Sequence, residues 1–124
     1  MPRLGRAETE RAIAAAAAGW ADWRATTAEH RSRVLKAWHR LLIDNTETLA
    51  RLLTAEQGKP LAEARAEIVY AASFVEWFAE EAKRVYGDII PSPYPHARIM
   101  VTRQPNGLVP AGTPWNLPGR GRAP

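Results

Sequence analysis

The stretch that decides the fold is Leu61–Tyr86, LAEARAEIVYAASFVEWFAEEAKRVY. Its apolar positions Leu61, Ala64, Ile68, Ala71, Val75, Phe78, Ala82 and Val85 follow one another in steps of three and four residues. That spacing places all of them on one face of a helix. At about 1.5 Å per residue the helix would be roughly 39 Å long, more than a small single-layer domain needs. A second row, Tyr70, Phe74 and Trp77, widens the apolar face and predicts packing partners on more than one side. Pro60 suits the first helical position and Gly87 the residue just past the end.

Upstream, residues 1–7 read as an irregular lead-in. A first helix is expected over about 8–24, driven by the alanine run Ala14–Ala18 with Ile13, Ala17 and Trp20 as its stripe. Thr26 and Glu29 form a Thr-x-x-Glu capping pattern that opens a second helix over about 27–56. Val34, Trp38, Leu41, Leu42, Leu49, Leu52 and Leu53 make its buried face, and Asn45 interrupts that stripe, predicting a slight bend or a polar contact. Gly58 and Pro60 separate it from the long helix over about 60–86.

Beyond Gly87 the character changes. Pro91, Pro93 and Pro95 alternate with other residues and predict an extended surface segment. RIMVTR, Arg98–Arg103, alternates as a strand does, giving a strand at about 98–104, and a weaker one follows at about 107–112 despite Pro110 and Gly112. Residues 119–124 read as an unstructured tail. The expected fold class is therefore mainly α: three helices, the last two long, with one or two short β-strands.

The composition narrows the function classes. The 124 residues suit one domain, and a hydrophobic content of 46% argues against disorder throughout. Cysteine is absent, which excludes disulfides, thiolate metal sites and a cysteine nucleophile within this stretch. The net charge of +4 comes from Arg3, Arg6, Arg120 and Arg122, and the body between them is neutral. That distribution argues against a nucleic-acid partner, whose surface would concentrate basic residues on the folded face. No apolar run reaches the length of a membrane span, and no secretory signal opens the chain, so a cytoplasmic protein without a membrane partner is expected.

Read without reference to any family, the residues offer little chemistry. His30, His39 and His96 are scattered and form no metal pair, so no metal is expected. Glu63/Glu67 and Glu76/Glu80 read as a solvated helix face. Glycines in dinucleotide-fingerprint or phosphate-loop spacing are absent. The five tryptophans read as core or interface anchors.

Two blocks carry a resemblance. LLTAEQGKPLAEARAEIVYAASFVEWFAEEAKRVYGDIIPSP, with the weaker VTRQPNGLVPAGTPWNLP after it, resembles the N-terminal part of the aldehyde dehydrogenases, and within them the bacterial NADP-dependent succinate-semialdehyde dehydrogenases. Glu56–Pro60 and Trp115-Asn116 are its most specific parts. The resemblance implies an α/β parent with a Rossmann-like cofactor domain, a catalytic domain and a small oligomerisation sheet. Residues 8–118 would be the part that opens the cofactor-domain region, with RIMVTR in the oligomerisation sheet. In such enzymes a cysteine thiolate attacks the aldehyde, hydride passes to NAD or NADP, and a glutamate activates water. Asn116 matches the asparagine that donates its amide to the oxyanion, and Thr113, Pro114, Trp115 and Asn116 match residues lining the nicotinamide end of the cofactor. Gly112 and Leu117 depart from the family, which has a bulky aliphatic and an aromatic at those places. The match breaks after Pro118, pointing to a truncated or frameshifted reading frame. The implied chain is inactive alone and does not hold NADP or NAD by itself. The alternative is a helical interaction module that self-associates as a homo-oligomer or docks on a full-length paralogue.

Overall fold

The computed structural model describes residues 4–119. They form four helices and one short hairpin: α1 (Arg6–Ala25), α2 (Ala28–Asp44), α3 (Thr46–Gln57), α4 (Leu61–Glu81), β1 (Asp88–Ile90) and β2 (Ile99–Val101). The mainly helical class stands, but there are four helices instead of the three expected. The predicted 27–56 helix is two, broken at Asn45. The Asn45 side chain donates to the Leu41 carbonyl at 2.8 Å, and the Thr46 hydroxyl donates to Ile43 at 2.7 Å. Both side chains compete with the backbone ladder, and the chain bends where they do.

α1 begins earlier than expected. Gly5 N–H donates to the Glu8 carboxylate at 2.8 Å, which places the helix start within the predicted lead-in. That amide, then Glu8's own amide and Arg11, holds the Glu8 carboxyl below its usual range. α1 buries no residue and packs along no other element; only its end is tied down. There, Trp23 meets His30 edge to face at 6.4 Å between ring centres, and Arg31 donates to the Thr26 carbonyl. The predicted Thr26–Glu29 capping pair does not form. Thr26 instead donates its hydroxyl back to Trp23 at 2.7 Å, and Thr27 caps α2 by accepting from His30 N–H at 3.2 Å.

α4 lies across both α2 and α3. Its packed face is turned slightly from the predicted stripe. Ala64, Ala72 and Ala79 are fully buried, while Phe78 is partly exposed and Val85 largely so. Small side chains let α2 approach closely, and His39 Nδ1 lies 3.0 Å from the Ala72 carbonyl, so His39 is an interhelical contact. Ala50, Leu53 and Ala64 form the core cluster, with Leu61 and Ile68 against it. Outside this cluster the larger apolar side chains, among them Leu35, Trp38, Leu52, Phe74 and Phe78, line an open groove of about 630 Å³ between α2, α3 and α4.

Gly58 ends α3 at φ +77°, its N–H on the Thr54 carbonyl at 2.8 Å, as its place in the sequence predicts. Pro60 stands one place before α4, as its N-cap. α4 stops at Glu81, short of the predicted 86, so Gly87 is not its cap. A Cβ at Gly87 would lie 2.2 Å from the Val101 carbonyl, and this close approach explains the glycine. It sits at the mouth of the antiparallel hairpin, in register Asp88↔Val101, Ile89↔Met100 and Ile90↔Ile99. β1 falls where only an extended segment was expected. β2 is shorter than the predicted 98–104, and the strand predicted at 107–112 is not formed, in keeping with Pro110 and Gly112. Of the predicted tail, Gly119 is docked, while 120–124 lie outside the described residues, as do 1–3 of the lead-in. Among the described residues no helix is long and apolar enough to cross a membrane.

Candidate functional site

Pro114-Trp115-Asn116-Leu117 forms a β-turn closed by Leu117 N–H on the Pro114 carbonyl at 3.2 Å. Trp115 and Asn116 stand at its corner, and both are exposed; Trp115 keeps 76% of its surface open. Thr113 is half-buried and Pro114 exposed. The four predicted site residues thus lie together on one open edge.

The turn is fastened to the corner between α3 and α4. Lys59, directly after Gly58, donates its ammonium to the Asn116 carbonyl at 2.9 Å and to the Glu67 carboxylate. The other Glu67 oxygen accepts from Gly119 N–H at 2.8 Å. Beside this pair, Leu117 lines a recess of about 350 Å³ together with Glu63, Ala66 and Tyr70. The two blocks most specific in the resemblance, Glu56–Pro60 and Trp115-Asn116, therefore meet in space.

Glu67 corrects the reading of a solvated carboxylate, since the residue is 4% exposed. Its spacing offered a signal: it lies three residues after Ala64 and four before Ala71, on the packed side of α4. Glu63, its predicted companion, does remain exposed. Among the described residues no group of three His, Cys, Asp or Glu side chains is placed to hold a metal.

Chemically, the edge offers an exposed carboxamide at a turn with a tethered backbone, next to an exposed indole. A carboxamide N–H fixed in place can stabilise a developing oxyanion.

The profile of the Aldehyde dehydrogenase family matches residues 1–120. The chain belongs to that family. The succinate semialdehyde dehydrogenase of Acinetobacter baylyi is 64% identical over 118 residues, covering 95% of this chain and 24% of that protein. The glutarate-semialdehyde dehydrogenase of Pseudomonas putida is 58% identical, covering 95% of this chain and 25% of its own length. Among solved structures, an NADP dependent enzyme of E. coli superposes with a TM-score of 0.90 at 51% identity, over 98% of this chain and 25% of that one. This aldehyde dehydrogenase chain thus spans about a quarter of the length of the curated relatives it matches. Its helices and hairpin match the N-terminal part of the family's structures.

Proposed function

We propose that these residues are the N-terminal part of an NAD(P)-dependent aldehyde dehydrogenase that oxidises a semialdehyde to the corresponding acid. Water and NAD(P)⁺ are consumed, and NAD(P)H and a proton are released. Succinate semialdehyde is the first candidate substrate, because the relative from Acinetobacter baylyi carries that name at 64% identity. The Pseudomonas putida relative, named for the homologous glutarate semialdehyde, supports the same class of aldehyde bearing a distal carboxylate. NADP is favoured over NAD by the likeness to the NADP dependent enzyme of E. coli. The reading is of a cytoplasmic enzyme.

The observation that carries the proposal is the position of Asn116, exposed at the corner of a turn whose backbone is tethered by Lys59. In this reading its side-chain N–H donates to the oxyanion formed when a thiolate adds to the aldehyde carbon. Thr113, Pro114 and Trp115 would form one wall beside the nicotinamide, which when bound supplies the hydride acceptor. The sequence contains no cysteine, so residues 1–124 supply an oxyanion donor and no thiolate, and no turnover is expected from them alone. The exposed hairpin fits the part of an oligomerisation sheet that the resemblance implies, since every residue of β1 and β2 is exposed.

The test is a chimera in which the matched residues replace the corresponding stretch of the Acinetobacter baylyi relative. NADPH formation from succinate and glutarate semialdehydes is followed by absorbance. Activity in the chimera and none in the isolated chain is expected. A folded but inactive chimera, or turnover by the isolated chain, would overturn the proposal.

A further inference from the structure

Lys59 and Glu67 form the most enclosed ion pair among the described residues, with side chains 12% and 3% exposed. Such a pair contributes little to stability by itself, because desolvation offsets the Coulomb attraction. Here each partner makes a second bond, and both second bonds go to the same short segment. The ammonium reaches the Asn116 carbonyl at 2.9 Å, and Glu67 Oε1 accepts from Gly119 N–H at 2.8 Å. The two anchors bracket Leu117 and Pro118. An apolar pair of equal volume could fill the space but could not hold these two backbone groups.

The clasp is built on rigid parts. Lys59 follows the left-handed Gly58 that ends α3, and Glu67 stands on the packed side of α4. We propose that Lys59 and Glu67 are positioning residues for Asn116, fixing the Pro114–Leu117 turn so that the exposed carboxamide keeps a single aim. This rests on the reading of Asn116 as an oxyanion donor. A displacement of the order of 1 Å at such a donor can lower the rate by roughly a hundredfold.

Two measurements test the proposal. The first uses the 124-residue chain and reads amide hydrogen exchange at Leu117 and Gly119. The variant Lys59→Met/Glu67→Leu leaves no buried charge, so it keeps the fold while removing both bonds to the turn. Exchange at these two amides should rise by roughly ten- to a hundredfold, with the α4 amides unchanged. Unchanged exchange at Leu117 and Gly119 would overturn the clasp. The second uses the chimeric enzyme and a double-mutant cycle. Lys59→Met should lower kcat by about ten- to a hundredfold with KM little altered, Lys59→Arg should restore part of it, and Lys59→Met should add little once Asn116 is alanine. An equal loss in both backgrounds would make Lys59 merely structural and overturn the proposal. If Asn116→Ala leaves kcat unchanged, the donor reading itself fails and takes the proposal with it, whatever the exchange data show.

Discussion

Replacing Leu53 with alanine tests how this chain distributes its apolar surface. Leu53 is 9% exposed and belongs to the core cluster, yet it also lines the open groove. The substitution removes an isopropyl group, about three carbons at ~0.8 kcal/mol each, or about 2.4 kcal/mol of transfer free energy. In an enclosed core the remaining cavity can raise the loss to about 5 kcal/mol. Here the void opens into the groove, where water and neighbouring side chains can enter it, so the loss should stay near 2–3 kcal/mol. Leu52, its neighbour in sequence, is 56% exposed. Leu52→Ala should therefore lose only about 1 kcal/mol. Urea titrations followed by far-UV circular dichroism would read both as midpoint shifts at constant m. The buried apolar residues among those described are Leu53 and four alanines, so even the smaller figure for Leu53 is a large share of the stability. A loss at Leu52 equal to or greater than that at Leu53 would refute the reasoning, because it would mean that the groove is covered in solution.

Three further outcomes follow from the packing. Glu47 accepts from Arg65 on α4 at 2.7 and 3.1 Å and from Arg51 on its own helix at 2.8 Å; Arg65 first, then Arg51, lowers its carboxyl to about 2 from 4.5. A carboxyl lowered by folding stabilises the fold above its unfolded value and loses that contribution as the pH falls toward its folded value. The melting temperature of wild type minus that of Glu47→Gln should thus be constant above pH 4.5 and close as the pH approaches 2; a gap that persists at the acid end would refute the bridge. Gly87→Ala would drive a methyl group into the Val101 carbonyl, so amide protection in β1 and β2 should vanish while the helices melt unchanged, because the hairpin packs on none of them. Retained hairpin protection would count against that close approach. Ala72→Leu should overpack the α2–α4 seam by about 1–3 kcal/mol, whereas Val69→Leu, at a half-exposed position, should be near neutral in the same urea assay.

The long helix was legible because its apolar residues keep three- and four-residue steps, and Gly58 was legible because a glycine after a helical run suits the left-handed conformation it adopts. At Asn45 the sequence predicts a slight bend or a polar contact; the polar contact is present, but the full break was not legible, since helical periodicity continues on both sides and the side-chain bonds that divide the helix are local competitors. Of the buried seam, Ala64 stands in the predicted stripe, while Ala72 and Ala79 lie beside it on the side where small residues allow close helix approach. β1 was hidden by its shortness and by Pro91 immediately after it, and its partner lies beyond the proline-rich loop. At the candidate site, Thr113 to Asn116 came from resemblance, not from periodicity. The clasp was out of reach because Lys59 and Asn116 are 57 residues apart, and only the fold decides whether they meet.

The central claim is that Asn116 is the oxyanion donor of a semialdehyde dehydrogenase. Its most direct test is kcat for the chimeric enzyme and for its Asn116→Ala variant, at saturating succinate semialdehyde and NADP. A loss of about 10²–10³ in kcat with a nearly unchanged KM is predicted. Equal kcat values in two folded proteins would contradict the account.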